Sequence, residues 1–131
     1  NGVARQHRVM NTTEYLAAVD ERLSELARLL ISSSILREVD ANLAIGFIQG
    51  RLTFIDGSSL TFSEQLPVTR GKYRLHYMDA QQELIARWDT APHYPDLPSF
   101  PYHKHTRNGI EASAPVTLLG ILDEIVARLL I

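Results

Sequence analysis

The hydrophobic and polar positions near the start of the chain repeat at helical spacing. Asn11 and Glu14 form a capping-box pattern, which is typical of the first turn of a helix. The apolar positions that follow share one face of that helix: Leu16, Val19, Leu23, Leu26 and Leu30. The pattern predicts an amphipathic helix over residues 12–30, and the serines at 32–34 are expected to end it.

The period then changes to two, which is typical of strands with one buried face. Strands are predicted at residues 35–48, 51–55, 58–66, 71–79 and 82–89. Gly50 is expected to break the first run, and Pro67 to close the third. Asp56 and Gly57 lie between two alternating runs, and this dipeptide is a strong signal for a hairpin.

The last two predicted strands carry arginines that their expected register brings together. Matching the apolar faces of the two strands pairs Tyr73 with Trp88 and places Arg74 opposite Arg87. Like charges directly opposed across two strands are unfavourable. Either an anion or a neighbouring acid compensates the two guanidiniums, or the side chains extend apart into water.

Residues 91–108 contain four prolines and no periodicity, but they are rich in histidine and aromatic residues. A long segment of this kind in a small domain is usually functional or disordered, and its composition favours an ordered loop that lies over the sheet. A final helix is predicted to open at Pro115 and Thr117. Its apolar positions share one face: Leu118, Leu122, Ile125 and Leu129.

The order of these elements predicts an α+β fold. It is expected to be a single antiparallel sheet of four to five strands, with an N-terminal and a C-terminal helix packed on one face. Six apolar residues of the two helices are expected to be buried against that face: Leu16, Leu23, Leu26, Leu122, Ile125 and Leu129.

The length and composition of the chain limit its class. Its 131 residues fit one domain, predicted at 11–131, after a tag or disordered leader at 1–10 that lacks the apolar region of a secretory signal. No apolar run approaches the roughly 20 residues that cross a bilayer, so no membrane span is expected. The absence of cysteine excludes disulfides, thiol nucleophiles and cysteine-ligated metals, and it fits a cytoplasmic location.

Charge is unevenly distributed along a chain whose net charge is −2. Residues 70–107 carry six basic and four acidic residues and four of the five histidines, whereas the rest of the chain is acidic. Arginine outnumbers lysine eleven to two, and the planar guanidinium suits bidentate contacts with phosphate. This bias either reflects ordinary composition or marks a surface for a phosphate-bearing ligand.

Three histidines in the proline-rich segment suggest two kinds of chemistry. His93, His103 and His105, together with Asp89 or Asp96, could supply the three protein ligands of a catalytic zinc ion. The spacing is irregular, however, and no histidine pair lies one helical turn apart. The hypothesis we carry forward therefore has no metal and no cofactor.

The second kind of chemistry is acid–base cleavage of RNA, which needs a base, an acid and cations near the phosphate. The candidate catalytic residues are His103, His105, His93, Arg87 and Arg74. The candidate substrate-binding residues are Lys72, His76, Tyr94, Tyr102, Lys104 and Arg107. The alternative is that the histidines are solvated loop residues and that the aromatic residues belong to the core.

Four runs of the chain resemble the TumE family, small bacterial and archaeal toxins of type II toxin–antitoxin pairs. The runs are LREVDANL (36–43), RLTFIDGSSLTFSE (51–64), KYRLHYMDAQQELIARWDTAPHYPDLPSFPYHKH (72–105) and PVTLLGILDEI (115–125). The most specific parts are RWD-x-A-P-H at 87–93 and F-P-x-H-x-H at 100–105. Gln82 departs from the family pattern, because a glycine is expected at the end of the turn Asp-Ala-x-Gly.

The resemblance implies growth inhibition, a cytoplasmic location and a complex with an antitoxin encoded by a neighbouring gene. By analogy with other small toxins, and from the histidine and arginine content, we expect a metal-independent ribonuclease with an RNA substrate. The alternative is a non-enzymatic toxin or regulatory module that binds a protein or nucleic acid through the 91–108 loop. The oligomeric state is left open, with a dimer among the options.

Overall fold

The structure, a computed structural model, describes residues 10–131 apart from the side chain of Arg70. Two α-helices flank the strands in sequence: α1 (Thr12–Glu25) and α2 (Leu118–Leu129). The strands are β1 (Leu30–Asp40), β2 (Ile45–Phe54), β3 (Ser59–Leu66), β4 (Tyr73–Met78), β5 (Leu84–Asp89), β6 (His103–Thr106) and β7 (Gly109–Ala112). They form one antiparallel sheet in chain order.

The α+β class, the two helices and the single antiparallel sheet are confirmed, but the predicted strand count is wrong because the sheet has seven strands. The additional strands β6 and β7 lie within and just after the segment 91–108, which is predicted to be an ordered loop over the sheet. β6 pairs with the edge of β5, and β7 pairs with β6. An unpaired sheet edge leaves backbone N–H and C=O groups without partners, so extending the sheet satisfies them.

The N-terminal helix is shorter than the pattern predicts. The capping box is present, since the Glu14 N–H donates to Asn11 Oδ1 at 2.8 Å and the Asn11 N–H donates to Glu14 Oε1 at 3.2 Å. The helix ends at Glu25 rather than at residue 30, and the serines at 32–34 lie in β1. Pairing of β1 with β2 begins at Leu30, so cross-strand hydrogen bonds replace helical ones there.

The predicted strand 35–48 is in fact two strands joined by a turn at residues 41–44. Asp40 stabilises the turn, because its Oδ1 accepts hydrogen bonds from the N–H groups of Asn42 and Leu43. Gly50 does not break the strand: it lies within β2, where a Cβ atom would approach the Ser34 carbonyl oxygen to 2.2 Å. The glycine therefore permits close approach of β1 and β2.

The β4–β5 register also differs from the prediction. Trp88 pairs with Leu75 rather than with Tyr73, and Arg74 lies opposite Asp89 rather than opposite Arg87. The register shifts next to the turn at residues 79–82, at an irregularity between Tyr77 and Met78. The shift preserves the faces of the strands and brings a carboxylate, instead of a second guanidinium, opposite Arg74.

One hydrophobic core lies between the helices and one face of the sheet. Of the six helix residues expected there, four are buried (Leu16, Leu26, Leu122 and Ile125), and Leu23 and Leu129 are half-buried. The expected leader 1–10 lies outside the described residues except for Met10, which packs against this core. No helix in the described part of the chain is long and apolar enough to span a membrane.

A buried carboxylate joins the two helices to the sheet. Glu64 is 2% exposed, and its Oε1 accepts a 2.6 Å hydrogen bond from the Tyr15 hydroxyl of α1. Its Oε2 accepts a 3.0 Å hydrogen bond from the Leu118 N–H, at the first turn of α2. Burial raises the pKa of the Glu64 carboxyl and of the Tyr15 hydroxyl. The contact therefore fixes both helices against the same strand, on one face of the sheet.

Candidate functional site

The sheet face opposite the helices carries six polar residues on β4, β5 and β6. Because directly paired residues of adjacent strands point to the same face, the register sets these residues side by side in two rows. The first row is Arg74, Asp89 and His103, and the second is His76, Arg87 and His105. We call these six residues the His–Arg cluster.

Asp89 lies at the centre of the cluster and is 6% exposed. Its Oδ1 accepts a 2.9 Å hydrogen bond from the Ala91 N–H and lies 2.8 Å from His103 Nε2. Its Oδ2 lies 3.3 Å from Arg87 Nε and 3.7 Å from His105 Nε2. From the sequence, Asp89 is predicted only as a metal ligand, although its place between Arg87 and His93 in the RWD-x-A-P-H motif indicates that it belongs to the site.

His103 is 1% exposed, so a ligand in solution does not reach its ring. Its Nδ1 lies 3.0 Å from the Pro101 carbonyl oxygen, and since a carbonyl only accepts, this nitrogen carries a hydrogen. Its Nε2 faces Asp89 Oδ1 but does not make a hydrogen bond of good geometry with any described residue. The two contacts fix the ring of His103 and, through it, the carboxylate of Asp89.

His105 is the more accessible of the two β6 histidines, with 15% of its side chain exposed. Its Nε2 lies 3.3 Å from Arg87 Nη2, and since guanidinium only donates, this nitrogen accepts. Burial lowers the pKa of His105, and the nearby charge of Arg87 lowers it further. The neutral imidazole therefore predominates at pH 7, with a lone pair that points toward Arg87.

His76 occupies the neighbouring position on β4 and is half-buried. Burial lowers its pKa, and the charges of Arg87 and Arg74 lower it further. Its Nδ1 has no hydrogen-bond partner among the described residues. A second neutral imidazole thus lies beside the two guanidiniums.

A cavity of about 250 Å³ opens over the cluster. It is lined by Tyr73, Arg74, Arg87, Asp89, Ala91, His93, Tyr94, His103 and His105. The Tyr94 ring lies edge-on to the rings of His103 and His105, with centroids 5.0 and 5.8 Å away. The exposed ring of His93 lies edge-on to Tyr94 at 6.3 Å, so the segment after β5 brings a third imidazole to this cavity.

Four predicted substrate-binding residues lie away from the cavity, and two of them face the core side of the sheet. Lys104 lies on the helix side of the sheet, where its Nζ is 5.3 Å from the centroid of the Trp88 ring. Tyr102 packs against the core in a stacked arrangement with Tyr73 at 6.2 Å. Their sequence neighbours His103 and His105 face the other way because side chains alternate along a strand.

The other two peripheral candidates lie near turns. Arg107 holds the end of the β4–β5 hairpin, since it donates to Asp79 Oδ2 at 2.6 Å and to the Leu84 carbonyl oxygen at 2.7 Å. Lys72 is exposed just before β4, and its carbonyl oxygen accepts from the Gln65 N–H. The predicted candidates that the fold brings together at the cavity are thus Arg74, Arg87, His93, Tyr94, His103 and His105, with His76 beside them.

The cluster also contains a potential ligand set for a metal ion. The ligand atoms of Asp89, His103 and His105 all lie within 4.8 Å of one another. However, the Arg87 guanidinium lies beside this carboxylate, and Arg74 is its partner on the adjacent strand. Two permanent positive charges around one carboxylate favour an anion over a cation at this site.

Fold and site together define a class: a small α+β protein with a sheet face that combines imidazoles and guanidiniums in an anion-attracting cavity. The chain belongs to the TumE family, since the family model described as toxin TumE matches residues 19–129. The match includes all seven strands, both helices in whole or in part, and the complete His–Arg cluster. Searches of curated proteins and of solved structures found no match. The family is one of toxins, and this chain is a member of it.

Proposed function

We propose that this toxin is an endoribonuclease that cleaves RNA at the His–Arg cluster without a metal ion. The observation that carries the proposal is the neutral imidazole of His105 beside the Arg87 guanidinium, in a cavity that Arg74 also lines. An imidazole that is neutral at pH 7 can accept a proton, and guanidiniums can stabilise the charge that develops on a phosphate.

In the proposed reaction, His105 removes the proton of a ribose 2′-hydroxyl. The 2′-oxygen then forms a bond to the adjacent phosphorus, and the bond from phosphorus to the 5′-oxygen of the next nucleotide breaks. His93 donates a proton to that leaving oxygen, because it is exposed and lines the same cavity. The products are a 2′,3′-cyclic phosphate and a 5′-hydroxyl. One proton has passed from the substrate to His105, and one has passed from His93 to the substrate.

The arginines and the buried pair have different parts in this scheme. Arg74 and Arg87 bind the phosphate, and movement of Arg87 toward the phosphate releases the lone pair of His105 Nε2 for proton abstraction. His103 and Asp89 are positioning residues, because both are almost fully buried and hold Arg87 and His105 in place. This role differs from direct acid–base work by His103, which its 1% exposure disfavours.

The proposal is tested by a cleavage assay on purified toxin that is free of antitoxin. We expect His105→Ala to lower the cleavage rate about 10²–10⁴-fold, which is the usual contribution of general acid–base catalysis. Lys104→Ala is the matched control: it changes the adjacent residue, which faces the opposite side of the sheet. EDTA is expected to leave the rate unchanged, and the products should carry cyclic phosphate ends.

Two results would contradict the proposal in different ways. Loss of cleavage on chelation, with recovery on adding a divalent metal, would show that Asp89, His103 and His105 hold a cation instead. Toxicity without any RNA cleavage would favour the non-enzymatic alternative, in which the segment 91–108 binds a cellular target.

We further propose that the toxin is held inactive by an antitoxin encoded beside it and that this partner covers the cavity over the His–Arg cluster. The support is the toxin family itself and the concentration of positive charge around the cavity. We also propose a cytoplasmic location, where RNA is accessible. The cavity lies on the face of the sheet opposite the two described helices.

A further inference from the structure

A second, larger groove lies on the same face of the sheet, beside the cavity of the His–Arg cluster. It has a volume of about 760 Å³ and extends across β1 to β4. Arg74 lines both the groove and the cavity, so the two are continuous at this residue. Apart from Arg74, the residues that line the groove take no part in the chemical steps proposed above.

The groove has a positive and polar lining. Arg51 and His76 lie in the same register row as Arg87 and His105, with Thr61 between them on β3. Among the described residues that line the groove there is no carboxylate, and four others offer hydroxyl or amide groups: Ser34, Gln49, Thr61 and Ser63. At about 4.8 Å per strand, Arg51 on β2 stands roughly 14 Å from Arg87 on β5. The row therefore continues the positive charge of the cluster away from the reacting centre.

The groove also carries a small apolar surface. Leu36, which is 51% exposed, lines it on β1, and Met78 lines it on β4. A positively charged groove suits an unpaired strand, because its charges contact the sugar–phosphate backbone.

We infer that this groove binds the nucleotides that flank the cleaved phosphate, in single-stranded RNA. The inference rests on the proposed ribonuclease activity, since the cluster defines where the cleaved phosphate lies. Arg51 binds a phosphate of a flanking nucleotide, and Arg74 connects that subsite with the cavity. The groove thereby makes efficient cleavage depend on the length of the RNA on one side of the cut.

The test compares cleavage of a dinucleotide with cleavage of a single-stranded RNA of about 12 nucleotides, within the range that such grooves contact. Arg51→Ala is expected to raise the KM for the longer RNA about tenfold or more, the effect of losing one charged contact. It is expected to leave kcat unchanged for both RNAs and KM unchanged for the dinucleotide. Arg37→Ala is the matched control, because this β1 arginine pairs with Asp20 of α1 on the helix side.

Binding is measured separately with a 2′-O-methyl RNA of the same sequence, which binds but cannot be cleaved through its 2′-oxygen. Arg51→Ala should weaken this binding and reduce its salt dependence by about one counterion, whereas Arg37→Ala should change neither. Unchanged binding and unchanged KM in Arg51→Ala would overturn the groove assignment, and equal affinity for a duplex would overturn its single-strand specificity. Absence of cleavage by the wild-type protein, with Arg51-dependent binding retained, would overturn the ribonuclease proposal instead.

Discussion

The charge state of His105 is the residue-scale property on which the proposed chemistry depends. Burial and Arg87 lower its pKa below the ordinary value of 6.5. A general base must be neutral, so activity should be retained at pH 7 and lost as the pH falls through that lowered pKa. The same field acts on His76, which the two arginines also face.

We expect an NMR titration of the His105 ring to give a midpoint below 6.5 and to move upward in Arg87→Gln. The substitution removes the positive charge that disfavours the imidazolium. The acid limb of kcat/KM for the wild-type toxin should have the same midpoint. A midpoint above 6.5 in the wild-type protein would mean that Asp89 dominates the field and that His105 is protonated at neutral pH.

The sequence could predict which side chains come together in the site, but it could not predict the role of each one. Alternation along the chain predicts that His103 and His105 share a side, and the arginines were identified by their suitability for phosphate. Burial decides the difference between the two histidines, and burial depends on the Pro101 carbonyl and on Asp89, which pairing of β6 with β5 brings close. That pairing has no signal in the local periodicity.

At the scale of elements, the β4–β5 turn accommodates a residue that departs from the family pattern. Gln82 stands where a glycine is expected, and it adopts a φ of 64°, in the left-handed region that glycine favours. Asp79 supports the turn by accepting hydrogen bonds from the N–H groups of Gln81 and Glu83. The turn therefore keeps a glycine-type conformation with a side chain that is strained there.

We expect Gln82→Gly to raise the free energy of unfolding by about 0.5–1 kcal/mol, because it removes the left-handed strain at residue 82. Gln81→Gly is the matched control, and it should destabilise the protein because Gln81 does not have a positive φ. Urea or thermal unfolding measures both. A loss of stability in Gln82→Gly equal to that in Gln81→Gly would contradict the strain argument.

Elements with a strong local signal could be predicted from the sequence, and elements that depend on a distant partner could not. The capping box at Asn11 and the hairpin at Asp56 and Gly57 are present where expected, and Gly57 has a φ of 86°. The serines of β1 and the residues of β6 have weak strand propensity, and they form strands because a neighbouring strand offers hydrogen bonds. For the same reason, the sequence pattern did not predict β6 and β7.

At the scale of the whole molecule, the two faces of the sheet have separate tasks. The helices cover one face and form the core, and the other face carries the cavity and the groove. An inhibitor that blocks both must cover this open face. Its positive and hydrogen-bonding surface suits a partner segment rich in carboxylates.

We expect the antitoxin to place an acidic segment over the cavity, in contact with residues 91–108. Electrostatic attraction of this kind should make the association rate fall as salt rises, while the dissociation rate changes less. Stopped-flow measurements at several salt concentrations test this, with Arg74→Gln slowing association and Arg28→Gln, an exposed substitution outside the open face, as the control. A complex that leaves the open face uncovered yet remains inactive would contradict the prediction.

The hydrogen bonds of Glu64 have a consequence for the order in which the toxin is made. The carboxylate needs a donor from α1, which precedes the sheet in the chain, and a donor from α2, which follows it. During synthesis the strands therefore leave the ribosome before the second donor does. Because Glu64 has both of its partners only once α2 is present, we expect the fixed packing of the core to form after α2 has been made.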